Sequence, residues 1–114
     1  MANKFTEVSS QWSDRRIFII HDFMCRGMVQ IEFVDGRDYG FIYNLYVHPD
    51  FRQKGLATAL LKQAELRIKQ NGRSIAALEW EKKESEHFVI DWYARNGYEE
   101  KEFDNRGALL KKKL

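Results

Sequence analysis

The 114-residue sequence predicts one mixed α/β domain. Its sheet is twisted and mostly antiparallel, flanked by helices, in the order β-β-β-α-β-α-β-β. Three observations predict it. Before residue 48, apolar residues follow strand patterns; from Leu56 to Ile68 they recur at helical spacing, and both patterns then return. The single proline, Pro49, stands at the first switch of period, and Asp35-Gly36, Asn71-Gly72 and Asn96-Gly97 mark where elements stop. Aromatic residues make up 14% of the chain and hydrophobic residues 44%, enough for a core without covalent staples.

Composition removes several function classes. One cysteine, Cys25, excludes an internal disulfide and a cysteine-built zinc site. It is expected to be a small buried or half-buried thiol. His21 and His87 have no partners at ligand spacing, so no metal is expected. No apolar run approaches the roughly 20 residues a membrane helix needs, so no membrane partner is expected. Met1 to Trp12 has no apolar stretch behind a basic start, which argues against a secretory leader and for a cytoplasmic protein. A net charge of +2 is too small to argue for nucleic acid. Stacking of bases on Phe41, Tyr43 and Tyr46 is a weak alternative that this charge opposes.

Each element has a local cause. Residues 1–15 are polar and weakly patterned, and partial disorder is expected there, ahead of a single domain over 16–114. Ile17-Phe18-Ile19-Ile20 reads as a strand within Arg16–Asp22. Met28–Val34 alternates, with Val29, Ile31 and Phe33 on one face. Asp35-Gly36 turns the chain, because glycine tolerates positive φ. Tyr39–Val47 is apolar at nearly every position and reads as a strand covered on both faces. Leu56, Leu60, Ala64 and Ile68 form the stripe of an amphipathic helix that Asn71-Gly72 ends. Ser74–Trp80 is a buried strand, parallel to 39–47 through a right-handed crossover. Ser85 is placed to cap a second helix bearing Val89, Trp92, Tyr93 and Asn96 on one face. Tyr98–Phe103 and Ala108–Leu114 close the order around the turn 104–107, and the three lysines Lys111–Lys113 read as a solvated strand end.

The chemistry concentrates where the period switches. A strand ends at Val47, Pro49 breaks it, a short basic loop follows, and a helix begins at Gly55. The first turn of a helix carries N–H groups without partners and a partial positive charge. Gly55 and Ala57 are small enough for a ligand to approach the backbone, and Arg52, Gln53 and Lys54 add donors and charge. This is a phosphate cradle of the strand–loop–helix kind. It is neither Gly-x-x-x-x-Gly-Lys-Ser/Thr nor Gly-x-Gly-x-x-Gly.

The run Leu45-x-Val47-x-Pro49-x-x-Arg52-x-x-Gly55-x-Ala57 closely resembles the acyl-CoA-binding motif of the GNAT superfamily of N-acetyltransferases. Trp92-Tyr93-Ala94-Arg95-Asn96-Gly97-Tyr98 is similar to that family's Phe-Tyr-x-x-x-Gly-Phe segment, and the two lie in the family's order. The resemblance implies acetyl-CoA as co-substrate and transfer of its acetyl group to a primary amine, of a small molecule or a protein. It implies that the backbones of Leu45 and Val47 pair with the pantetheine arm. It implies that amides from Gln53 through Lys54, Gly55, Leu56 and Ala57 to Thr58 hold the pyrophosphate. A strand amide near Leu45 or Tyr46 would hold the oxyanion. Tyr93 would protonate the departing thiolate, a task suited to a phenol that stays protonated at neutral pH.

Glu79, one pleat before Glu81, stands where some relatives carry a carboxylate base that works through water; exposed acids without a role are the commoner case for both. The sequence also departs from the pattern. Glu86 occupies a position where many relatives have asparagine, and the strand and two helices that usually precede residue 16 are replaced by a short polar segment. The acceptor pocket is therefore expected to be open, completed by a second subunit or degenerate. A CoA-binding sensor without catalysis is the alternative reading, and exposed sheet edges leave a homodimer open.

Overall fold

A computed structural model describes residues 4–81, 87–103 and 107–114, with side chains outside 80–90 and 101–106. Its elements are β1 (Phe5–Trp12), β2 (Arg15–Asp22), β3 (Gly27–Val34), β4 (Tyr39–Val47), α1 (Leu56–Gln70), β5 (Ile75–Glu81), α2 (His87–Arg95), β6 (Glu99–Phe103) and β7 (Gly107–Lys113). The strands form one sheet in the spatial order β1-β2-β3-β4-β5-β7-β6. Only β4 and β5 pair in parallel, through the α1 crossover; the other neighbours are antiparallel. The mixed, mostly antiparallel sheet expected from the sequence is the sheet observed.

The core lies on one face. Ile20, Val29, Ile31, Phe33 and Ile42 meet Leu60, Leu61, Ala64 and Ile68 of α1, and Ala76, Leu78, Ala108 and Leu110 extend the cluster across β5 and β7. Trp92 and Tyr93 of α2 pack against the same cluster. The alternation read in β3 is therefore real: Val29, Ile31 and Phe33 are buried, while Met28, Gln30 and Glu32 are half-buried on the other face.

Two expectations are corrected. The segment Phe5–Trp12, expected to be polar and partly disordered, is a strand whose register on β2 runs from Phe5↔Asp22 to Trp12↔Arg15. Its sequence hides this because Phe5 alone packs on the core; the other side chains are exposed, so backbone pairing rather than burial defines the strand. An ion pair between Glu7 and Arg67 ties it to α1. The second correction concerns β4. It is not covered on both faces: Gly40, Ile42 and Val47 are buried, but Phe41 and Tyr43 are half-buried and Tyr46 is 49% exposed. The expected cap at Ser85 and the turn residues 104–106 lie outside the described residues.

Helix α1 approaches β4 closely at Gly40. A Cβ there would stand 2.5 Å from Ile68 Cγ1 and 3.0 Å from Phe33 Cε1. Gly40→Ala is expected to destabilise the fold by about 1–3 kcal/mol through overpacking, read as a lower urea midpoint with an unchanged slope. A variant as stable as the wild type would show that α1 can move away from the sheet.

Candidate active site

Strand β4 carries one residue more than its neighbour requires. Met28 faces Tyr46 and Gln30 faces Tyr43, so two steps along β3 match three along β4. The surplus is a β-bulge at Asn44 and Leu45. Asn44 adopts the left-handed region (φ 51°), which asparagine tolerates best after glycine, and its side chain donates to Gln30 Oε1.

The bulge changes the other edge of β4. Its parallel register with β5 runs from Tyr39↔Ile75 to Ile42↔Leu78 and stops there. Strand β5 continues to Glu81, held by β7 through Glu79↔Leu109, Trp80↔Ala108 and Glu81↔Gly107. From Tyr43 to Val47, β4 therefore has no register with β5, and a gap opens between two adjacent strands. Leu45, Tyr46 and Val47, the strand residues singled out in the sequence, line its β4 side.

Beyond Val47 the chain turns into the cradle. Pro49–Phe51 form one 3₁₀ turn, and His48 Nδ1 accepts from the Asp50 amide at 3.2 Å, a structural use of this histidine. Gln53 (φ 64°) and Gly55 (φ 81°) both take left-handed backbone, flanking Lys54. Alternation of this kind turns successive amides toward one side, as in anion-binding nests. No side chain caps α1, and its first turn contains no acidic residue. A Cβ on Gly55 would meet nothing within 4 Å. Glycine is needed there for its φ, and the space before it is open. Leu56 contributes only its backbone, since its side chain is buried in the core.

Arg52 takes a specific position. Its Nε donates to the Val47 carbonyl at 2.9 Å, and its guanidinium lies 5.9 Å from the Tyr46 ring centroid. It thus pins the start of the loop to the end of the strand. A second brace comes from residues the sequence reading passed over. Asp22, 1% exposed, accepts from Arg26 Nε at 2.6 Å and from the other guanidinium arm at 3.0 Å. The Arg26 carbonyl accepts the His48 amide at 2.7 Å, and its guanidinium lies 5.7 Å from the Phe51 ring. The β2–β3 hairpin therefore holds the strand end and the 3₁₀ turn together. Cys25, expected to be at least half-buried, is exposed at the tip of this hairpin, because its left-handed φ (57°) belongs to the turn.

Tyr93 lies on α2. Its ring packs 5.3 Å from Trp92 and 6.2 Å from Tyr98, on the core side that also receives Leu45, Phe51 and Ala57. Burial pushes its phenol above the usual value of 10.0, so it stays protonated through neutral pH. Its hydroxyl has no hydrogen-bond partner among the described residues. Glu79 follows core-facing Leu78 in an unbroken register and so stands, exposed, on the opposite face of the sheet. Glu81 shares the backbone alternation of Glu79. No group of three or more His, Cys, Asp or Glu residues among the described residues is placed to hold a metal ion.

Strand β4, the basic loop and α1 follow one another as the strand–loop–helix read from the sequence, while the split between β4 and β5 had no sign there. Residues 13–100 match the model of the acetyltransferase (GNAT) domain. The chain belongs to the GNAT acetyltransferase family. Over 69 residues it is 39% identical to an uncharacterized N-acetyltransferase of Methanocaldococcus jannaschii; the match covers 60% of this chain and 30% of that protein. A Klebsiella pneumoniae protein assigned as an acyl-CoA N-acyltransferase superimposes with a TM-score of 0.78 at 19% identity, covering 98% of this chain and 97% of the other. The PaiA N-acetyltransferase of Thermoplasma acidophilum, solved with coenzyme A, gives 0.71 at 20% identity, over 89% and 62% of the two chains.

Within this GNAT domain, Arg26 holds the Asp22 carboxyl below the usual 3.8. A carboxyl lowered on folding contributes stability above its unfolded value and loses it as pH falls through the folded one. Asp22→Asn is expected to lower the urea midpoint at pH 7, and the difference from the wild type should shrink below pH 3.8. A constant difference from pH 7 to pH 3 would assign the effect to packing alone.

Proposed function

We propose that the protein transfers the acetyl group of acetyl-CoA to a primary amine. The observation that carries this reading is the gap between β4 and β5 opening onto the bare N-terminus of α1. Strand backbone without a neighbouring strand suits the amide-rich pantetheine arm, which would add to β4 as a short strand. The amides from Gln53 to Thr58, with the helix dipole behind them, suit the pyrophosphate. The coenzyme A held by the Thermoplasma relative supports this choice of co-substrate.

In this reading the neutral amine attacks the thioester carbonyl directly. The C–N bond forms as the carbonyl electrons move to oxygen, where an amide near Leu45 or Tyr46 donates to the oxyanion. Collapse breaks the C–S bond. Tyr93 gives its proton to the departing thiolate, and the amine's proton leaves through water toward Glu79. The buried phenol supports the role of Tyr93, because a group that stays protonated can act as an acid.

Calorimetric titration tests the cofactor half. Acetyl-CoA is expected to bind the wild type with micromolar affinity and Gly55→Glu at least roughly tenfold more weakly, with the far-UV spectrum unchanged. No binding to the wild type would overturn the proposal. For the chemical half, turnover is measured with spermidine, L-lysine, a short peptide with a free N-terminus and kanamycin. Tyr93→Phe is expected to lower kcat by roughly a hundredfold or more. Undiminished kcat in Tyr93→Phe would remove the general-acid assignment and leave cofactor binding intact.

A further inference from the structure

A carboxylate buried in an apolar core is costly unless it is paired and hydrogen-bonded. Glu65 of α1 is 9% exposed among Leu61, Ala64 and Ile68. Tyr98 Oη, on a residue 2% exposed, donates to Glu65 Oε2 at 2.7 Å. Lys112 Nζ of β7 donates to both carboxylate oxygens, at 3.1 and 3.2 Å. The Lys112 stem lies against the turn after α2, where a Cβ on Gly97 would be 3.2 Å from Lys112 Cε. Three elements meet at this one carboxylate.

What the network fixes is Tyr93. The Tyr93 carbonyl accepts the amides of Asn96 at 3.0 Å and Tyr98 at 3.1 Å, so the turn carrying Tyr98 is stitched to the residue itself. The Tyr98 ring stands edge-on to the Tyr93 ring at 65°. Among the described residues Tyr93 Oη has no hydrogen-bond partner, and what holds the side chain there is the packing of its ring against Trp92 and Tyr98. Tyr98 cannot swing its ring axis away from Tyr93 without giving up its bond to Glu65.

We propose that Glu65, Tyr98 and Lys112 form a positioning network that aims the Tyr93 hydroxyl at the leaving sulfur. This rests on the general-acid reading above. Tyr98 touches neither cofactor nor substrate in this assignment; it acts through the Tyr93 ring.

The test is a double-mutant cycle on kcat, with acetyl-CoA and the fastest amine of the panel named above, at fixed pH. Tyr98→Phe keeps the ring and removes the tether. It is expected to lower kcat roughly tenfold, with acetyl-CoA affinity by calorimetry unchanged. In the Tyr93→Phe background the same change is expected to have no further effect, because the group it aims is gone. Glu65→Gln, which still accepts from Tyr98, is expected to retain more kcat than Glu65→Ala. A Tyr98→Phe variant with wild-type kcat, or one equally damaging in both backgrounds, would overturn the positioning role while leaving Tyr93 as the acid. A weakened acetyl-CoA affinity without loss of kcat would also overturn it, assigning the network to the helix that bears the cradle. Tyr93→Phe at full activity, or no turnover of any amine by the wild type, would overturn both readings. If Glu65→Ala fails to fold, the Tyr98→Phe cycle alone decides.

Discussion

The structure depends on one surplus residue in β4. Two parallel strands that share a register over their whole length leave no room between them. Here the bulge at Asn44 ends that register at Ile42↔Leu78, while β7 keeps β5 paired to its end. The sheet is therefore opened without losing its integrity. Strand β4 leans on β3 by one edge, and its other edge becomes available for recognition. Everything downstream inherits this geometry, because the loop and α1 start from the displaced end of β4. The left-handed Asn44 is the local cost, and its bond to Gln30 helps hold it.

The cradle that follows is rigid in frame and bare in content. Arg52 fastens the loop to Val47, and Asp22 fastens Arg26, whose carbonyl receives the His48 amide. These contacts satisfy the groups around the cradle and leave the first amides of α1 without a side-chain cap. A helix start in a protein is usually capped by Ser, Thr, Asp or Asn, and glycine in that place costs only a few tenths of a kcal/mol. Gly55 therefore gives up little stability and removes a carboxylate or hydroxyl that would compete with a bound anion. The nearby cations divide in role: Arg52 is committed to the strand end, and Lys54 stays exposed.

Much of this was legible in the sequence wherever apolar periodicity and turn chemistry agreed. The β3 alternation, the α1 stripe, Pro49 and the Gly pairs have local causes, and each element formed near where it was read. Strand β1 was not legible, because its pairing is a backbone property and seven of its eight side chains face water. The bulge was equally silent: nothing in Tyr43-Asn44-Leu45 states that β3 will be one residue short opposite it. Glu65 carried no signal in the sequence, and Lys112 read as the middle of a solvated run. Their meeting with Tyr98 joins residues 33 and 47 positions apart, and only the fold brings them together. The motifs marked the candidate site; the contacts that brace it are long-range.

The two faces of the sheet give the proposed chemistry its direction. Tyr93 packs on the helical side, and Glu79 stands on the other. Attack on a thioester carbonyl requires the nucleophile to approach one face of the carbonyl plane, while the leaving sulfur is protonated as it departs. An acid and a base on the same side would compete for the same volume and exchange their proton directly. Separating them across an opened strand pair lets a pantetheine arm lie between them, its thioester reached by an acid from the helices and by an amine from the uncovered sheet face. Among the described residues that face bears Phe41, Tyr43 and Tyr46 and no helix, so in the proposed reaction the amine would approach past aromatic side chains while the pantetheine arm would meet the backbone of β4.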